Sequence, residues 1–284
     1  MQSLPMSRSS LSAFLLLILI LVSQVGHAQT VNVTDGTNSL TWTVDQTGAN
    51  ASQTLAGASP SVDNDILFEE GWFLNVGGQV VRLADTNPAN ITVTGNNTST
   101  VNISYSSVQV ASSLFDVDLT YQVSSTPTGL IDIALEAELN FLQGNAATVG
   151  SVINYFDYDI DGSTSQTAVF AGSPDPTISQ INPATGSGYS RLGIGADAFD
   201  IESFSLLRTS LESANLLDSS PNLGVIDVTG ALQWDFNLDP GDSFALSGGG
   251  SGVISEGVVV PEPSVLGTMV LLIGAMSLRR SRRG

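Results

Sequence analysis

Apolar and polar residues alternate along two neighbouring segments, Leu114–Val123 and Leu130–Phe141. Successive side chains of an extended strand point to opposite faces, so a period of two predicts strands with one apolar face and one wet face. Ser124–Gly129, which contains a proline, is the predicted turn between them. The pattern therefore predicts an antiparallel pair that buries one face against another layer.

Shorter runs of the same kind recur along the chain, with turns rich in glycine, asparagine and aspartate between them. The runs are Leu40–Val44, Gln79–Leu83, Ile91–Thr94, Val101–Val110, Val152–Ile160, Val225–Thr229, Leu232–Leu238 and Ser243–Leu246. One helix is predicted at Phe204–Leu217, where Leu207 and Leu211 share a face. The predicted fold class is all-β, an antiparallel β-sandwich or jelly-roll-like domain with one short helix.

The N-terminus has the three parts of a secretory signal peptide. Arg8 lies in a short basic region, Leu11–Val22 is apolar, and small residues precede a cleavage point after Ala28. An uncleaved anchor is the alternative, although the apolar run is short for a bilayer span. Residues 1–28 are therefore predicted to be removed by signal peptidase.

The C-terminus carries a second apolar segment, Val265–Leu278, between prolines and arginines. A flexible glycine-rich linker is predicted at 247–259. The apolar segment is shorter than the roughly 20 residues that span a bilayer comfortably. By the positive-inside rule the terminal arginines stay cytoplasmic, which leaves the preceding domain, residues 29–246, outside. The cluster consists of Arg279, Arg280, Arg282 and Arg283.

The tail Val260–Gly284 resembles the PEP-CTERM sorting signal, which joins a Pro-Glu-Pro motif, a hydrophobic helix and an arginine cluster. The motif here is Pro261, Glu262 and Pro263. The resemblance implies an exosortase-type transpeptidase as partner, transient residence in the inner membrane, and transfer to the cell surface or an extracellular polysaccharide matrix. An ordinary tail anchor with an accidental motif is the alternative.

The central domain is strongly acidic and poor in catalytic side chains. The chain has a net charge of −19 and no lysine or cysteine, and its only histidine, His27, lies beside the cleavage point. An acidic surface repels phosphate, so we predict no nucleic-acid binding. Without His, Cys or Lys, the mature domain excludes Ser-His-Asp and Cys-His catalysis, Schiff-base chemistry and His-ligated metals. Only carboxylates, hydroxyls and tyrosines remain for chemistry.

Two groups of acids are candidate calcium ligands. On the predicted hairpin, Asp116, Asp118, Glu136 and Glu138 share the outer face, and one register places Asp118 opposite Glu136 and Asp116 opposite Glu138. Facing like charges are destabilising, and calcium would relieve them. A solvated acidic face is the alternative, and it is the interpretation we favour for this group.

The second group is Asp157, Asp159 and Asp161, followed by Gly162. This spacing resembles the start of an EF-hand loop, but position 12 is Ala168, where that loop has an acid. A strand that ends in a turn is the alternative, and it is the interpretation we favour.

These observations predict an exported, non-catalytic cell-surface or matrix protein, with polysaccharide and calcium as candidate ligands. The alternative function is a carboxylate-only glycoside hydrolase of jelly-roll type that acts on extracellular polysaccharide, using a pair of acids such as Glu136 with Glu138 or Asp116 with Asp118.

Overall fold

The computed structural model describes residues 29–34, 39–44, 51–56, 67–86, 90–95, 97–125, 131–144, 146–172, 175–211, 221 and 223–254. The predicted signal peptide and the predicted sorting tail lie outside these ranges. Within them the helix α1 spans Phe204–Leu211. The strands are β1 Gln29–Thr34, β2 Ser39–Val44, β3 Ala51–Ala56, β4 Leu67–Val76, β5 Gln79–Arg82, β6 Ile91–Thr94, β7 Thr100–Val110, β8 Ser113–Ser125, β9 Ile131–Gln143, β10 Thr148–Tyr158, β11 Thr167–Gly172, β12 Pro176–Ile181, β13 Ser187–Ile194, β14 Ala198–Ser203, β15 Val228–Leu238 and β16 Ser243–Ile254.

The strands form two antiparallel sheets of eight strands each. Sheet A has the order β1-β2-β3-β4-β10-β15-β14, with β5 also paired to β4. Sheet B has the order β11-β12-β13-β16-β9-β8-β7-β6. The inner faces of the two sheets supply one buried apolar cluster between them. The prediction of an all-β sandwich is confirmed.

The hairpin predicted from the alternating pattern is formed by β8 and β9. Its apolar residues face the core, where Phe115 and Phe141 are buried and their rings stack at 4.9 Å between centroids. The register differs from the predicted one: Asp118 lies opposite Glu138, and Asp116 lies opposite Asn140. A shift of the register by two residues leaves every side chain on the same face of the sheet, so the alternating pattern cannot determine the register. In the observed register, Phe115 and Phe141 lie opposite each other.

The helix begins at the predicted residue and covers the outer face of sheet A. Its buried residues Leu207 and Leu211 pack in a second apolar cluster with Phe73, Ile153 and Tyr155 of that sheet. The remainder of the predicted helix, 212–217, lies outside the described residues. Among the helical residues that the structure describes, none belongs to a segment long and apolar enough to cross a membrane.

The glycine-rich stretch predicted to be a linker from residue 247 is instead part of β16, in the middle of sheet B between β13 and β9. Its glycines allow close packing. A Cβ on Gly250 would lie 2.5 Å from the ring of Tyr189, and one on Gly248 would lie 2.7 Å from the carbonyl oxygen of Leu192. Glycine is thus needed here because neighbouring groups occupy the space of a side chain.

Candidate acidic site

A row of polar side chains crosses the face of sheet A that α1 covers. Asp157 of β10 pairs with Glu69 of β4 on one side and with Thr229 of β15 on the other, and Thr229 pairs with Glu202 of β14. Directly paired residues of antiparallel strands point to the same face. Two further acids lie at the end of the row, Asp159 and Asp227. We call Glu69, Asp157, Asp159 and Asp227 the acidic site.

The end of β10 places Asp157 and Asp159 on either side of a core residue. Tyr158 between them is fully buried, and its backbone N–H donates to the Gln180 side-chain oxygen at 2.9 Å. Asp227 arrives from the residues before β15, where backbone hydrogen bonds of 2.8 and 3.0 Å join Gln166 to Ile226. One carboxylate oxygen from each of the three aspartates lies within 4.8 Å of the others.

The three aspartates have unequal environments. Asp157 is only 1% exposed, whereas Asp159 and Asp227 are half-buried. Burial, and then the charges of Asp227, Asp159 and Glu69, raise the pKa of Asp157 to about 8. Burial also raises the pKa of Asp227. Because ionising all of these neighbouring carboxyl groups at once is energetically unfavourable, the cluster retains a proton at neutral pH.

Glu69 lies between two arginines. Its two oxygens accept hydrogen bonds from Nη2 of Arg82 on β5 and Nη1 of Arg208 on α1, each at 2.9 Å. Glu69 is 1% exposed, and the side chains of Arg82 and Arg208 are 9% and 34% exposed. A buried carboxylate needs such partners, because the energy of its lost hydration must be offset.

A second ion pair lies between the sheets, on the opposite face of β4. Nη2 of Arg191 on β13 is 3.2 Å from Oε1 of Glu70, which also accepts a hydrogen bond of 2.8 Å from Asn154. The guanidinium lies over the ring of Phe156, 5.4 Å from its centroid. Arg191 and Glu70 are both almost fully buried, so this pair connects the sheets and is not accessible to a large ligand.

The structure separates the two groups of predicted site residues. On the outer face of sheet B, Asp118 accepts a 2.5 Å hydrogen bond from the Ser104 hydroxyl, and Asp116 accepts one of 2.8 Å from the Ser107 backbone. Glu136 lies opposite Thr120 and is exposed, and Glu138 is half-buried. Asp116 and Asp118 therefore have hydrogen-bond partners nearby, and Glu136 and Glu138 are at least partly exposed to solvent.

The structure brings Asp157 and Asp159 together as the end of a strand followed by a 3-10 turn, Ile160–Gly162, which agrees with the favoured interpretation. The Asp161 side chain lies outside the described residues. Asp227 was not among the predicted site residues, because nothing local in the sequence marks a residue that approaches from a distant segment.

Asp157, Asp159 and Asp227 are the described residues that could hold a cation. Calcium takes about six to eight oxygens, so three carboxylates would supply half of its ligands or fewer. The calcium prediction therefore stays a prediction.

No protein-family model and no curated protein matches the chain. Among solved structures, a GalM/aldose epimerase homologue from C. elegans is similar at 9% identity, over 81% of this chain and 100% of that chain, with a TM-score of 0.47. A bacterial glucoamylase, solved in complex with acarbose, is similar at 9% identity over 81% of this chain and 34% of its own length, with a TM-score of 0.46. The present chain thus spans about a third of the glucoamylase.

Both of these structures are named for enzymes that act on sugars. The prediction of a non-catalytic protein is corrected here, and the carbohydrate-active alternative is argued below as a proposal. Because the identities and TM-scores are low, the likeness is one of architecture, and chemistry has to be argued from the residues of this chain.

Proposed function

We propose that this chain is an exported carbohydrate-active enzyme that cleaves glycosidic bonds with the carboxyl groups of the acidic site. The observation that carries the proposal is the gathering of Asp157, Asp159 and Asp227 within 4.8 Å in unequal environments. Glycoside hydrolysis requires one carboxyl group that keeps its proton and one that is ionised. It requires none of the side chains that the mature domain lacks.

Asp159 and Asp227, the half-buried aspartates of the acidic site, are the residues that contact the sugar. Asp227, whose pKa burial raises, is the general acid that protonates the glycosidic oxygen as its bond to the anomeric carbon breaks. Asp159 is the carboxylate that attacks the anomeric carbon, and water then releases the sugar from that ester. Asp157, buried behind both, holds a proton and limits the negative charge of the cluster.

The overall charge favours a neutral polysaccharide as substrate. The chain carries a net charge of −19, and only three of its arginines, Arg82, Arg191 and Arg208, lie between the two terminal segments. Arg191 is sealed between the sheets, and the other two bind Glu69. An anionic polymer would therefore meet repulsion without a free cationic partner in the described part of the chain.

The separation of the carboxyl groups predicts the stereochemical outcome. A distance within 4.8 Å is near the roughly 5–5.5 Å of retaining enzymes and below the roughly 6.5–9.5 Å of inverting ones. We expect the purified protein to release reducing ends from a neutral α- or β-linked glycan, and the first product to keep the anomeric configuration of the substrate. Proton NMR of the anomeric signals measures this. An inverted product would contradict the assigned roles, and no release from any neutral glycan would overturn the proposal.

Export and sorting are part of the proposal, supported by the apolar segments and arginines at the two ends of the sequence. We expect the full chain to be cut after Ala28 and to reach the cell surface or matrix, and a version without residues 260–284 to be released into the medium. Cell fractionation with mass spectrometry of the mature N-terminus tests both. An uncut full chain in the cytosol would contradict the export.

A further inference from the structure

The last strand of the domain ends close to the Pro-Glu-Pro motif. β16 extends to Ile254. Only six residues, 255–260, separate it from Pro261, and ten residues, 255–264, separate it from the apolar segment Val265–Leu278. A chain spans at most about 3.6 Å per residue, so Ile254 lies within about 36 Å of a membrane that holds that segment.

The strand registers show at which end of the sandwich the chain leaves. Ile254 pairs with Ser187, the first residue of β13, and Gly252 pairs with Tyr189. The ring centroid of Tyr189 is 4.8 Å from that of Tyr158, the last residue of β10. The end of sheet B at which β16 stops therefore lies against the end of sheet A at which β10 stops.

The acidic site lies at this same end. Asp157 and Asp159 are the two neighbours of Tyr158 in the sequence. The next residue, Ile160, accepts a hydrogen bond of 3.3 Å at its carbonyl oxygen from the side chain of Asn182, which lies in the turn between β12 and β13. The acidic site and the point where the chain leaves the domain are thus at one end of the sandwich.

The opposite end of the sandwich is about the length of one long strand away. β10 has 11 residues and begins at that end, where Thr148 pairs with Leu238 of β15. A strand rises about 3.3 Å per residue, so the two ends are about 36 Å apart.

We propose that the end of the sandwich that carries the acidic site faces the membrane as long as the tail is uncut, and that this position excludes long polysaccharide chains from the site. The inference rests on the proposed function. The gap between this end and the bilayer is at most about as wide as the domain is long. A polymer coil loses conformational freedom when it enters such a gap, whereas a short oligosaccharide loses little. Cleavage at the Pro-Glu-Pro motif detaches this end from the membrane and gives the polymer access.

Two single cysteines test the orientation without any sugar, because the chain has no cysteine of its own. Ala184→Cys places a thiol at the end of the acidic site, and Asn237→Cys places one near the opposite end; both residues are exposed. The mature full-length protein is reconstituted in lipid vesicles. Each thiol is labelled with a small maleimide and with a maleimide carried on a long polyethylene glycol chain. The ratio of the two labelling rates measures the exclusion of a polymer.

We expect the rate ratio of the long reagent to the small one to be about tenfold or more lower for Ala184→Cys than for Asn237→Cys, since a factor of ten corresponds to only about 1.4 kcal/mol of confinement free energy. A spacer of about 20 glycine and serine residues inserted after Ser255 adds roughly 25 Å of end-to-end distance. With the spacer, the ratio for Ala184→Cys should rise toward that for Asn237→Cys. Equal ratios without the spacer, or a ratio for Ala184→Cys that the spacer does not change, would overturn the inference.

The same cysteine variants without residues 260–284 are the matched control. They have no membrane segment, so their two ratios should be similar. Because no sugar is used, the labelling is separate from the test of glycan cleavage. Exclusion at Ala184→Cys in a protein that cleaves no glycan would retain the orientation and reject the enzyme, and glycan cleavage with equal ratios would reject only the orientation.

Discussion

Replacing Asp227 by asparagine is expected to lower kcat/KM for glycan cleavage by about 10²–10⁴-fold, the typical contribution of a general acid. Asparagine keeps the shape of the side chain but has no proton to give to the leaving oxygen. Asp159→Asn is expected to lose at least as much, because the amide cannot form the ester with the sugar. Both residues are half-buried, so neither change should unfold the protein.

Asp85→Asn is the matched control, since Asp85 is exposed and follows β5 outside the acidic site. Its kcat/KM should equal that of the wild type. Initial rates of reducing-end release, together with the melting temperature of each variant, separate a chemical loss from a loss of folded protein. Full activity in both Asp159→Asn and Asp227→Asn would show that these carboxyl groups do no chemistry.

Replacing Arg191 by methionine is expected to lower the free energy of unfolding by about 3–5 kcal/mol, because it removes the positive charge that faces the buried carboxylate of Glu70. Arg191 and Glu70 are 1% and 2% exposed, and their closest atoms lie 3.2 Å apart across the two sheets. Denaturant unfolding measures the loss.

A second variant separates the lost charge from the lost packing. Glu70→Gln with Arg191→Met removes both charges, and the glutamine oxygen can still accept the hydrogen bond of Asn154. We expect this double variant to be more stable than Arg191→Met alone. Arg208→Met, at a side chain 34% exposed whose partner Glu69 retains Arg82, should cost about 1 kcal/mol or less. A loss at Arg191 as small as that at Arg208 would contradict the uncompensated-charge explanation.

The strands of the sheets were predictable, because burial of one face of a sheet requires apolar and polar residues to alternate along each strand. That alternation is visible in a short stretch of sequence. β8 and β9 were predicted from that signal, with their inward residues. The pairing of Asp118 with Glu138 was not, because a shift of two residues preserves both faces and differs only in which side chains meet.

The glycines of β16 were interpreted as a linker for a related reason. Composition cannot tell a glycine that gives flexibility from one that makes room for a neighbour. The ring beside Gly250 belongs to Tyr189, 61 positions earlier in the sequence. Such a contact becomes visible only when the strand order is known.

Two of the four residues of the acidic site were predicted as site residues. Asp157 and Asp159 attract attention by their spacing, whereas Asp227 and Glu69 approach them from distant parts of the chain. The buried ion pair of Glu70 and Arg191 was not predicted. Charged residues are seldom buried, so a charged residue with no known partner is expected at the surface.

The place of β16 in sheet B has a consequence for how the chain folds. It joins a block of β11, β12 and β13 to a block of β9, β8, β7 and β6, and β15 has the same place between β10 and β14 in sheet A. Both strands come late in the described chain, so sheet A cannot be completed before roughly residue 238 is available, and sheet B not before roughly residue 254. Pairing between distant segments is slow, which gives a long interval in which the two sheets are incomplete. In the proposed export, this interval would let the chain cross the membrane before its tertiary structure forms.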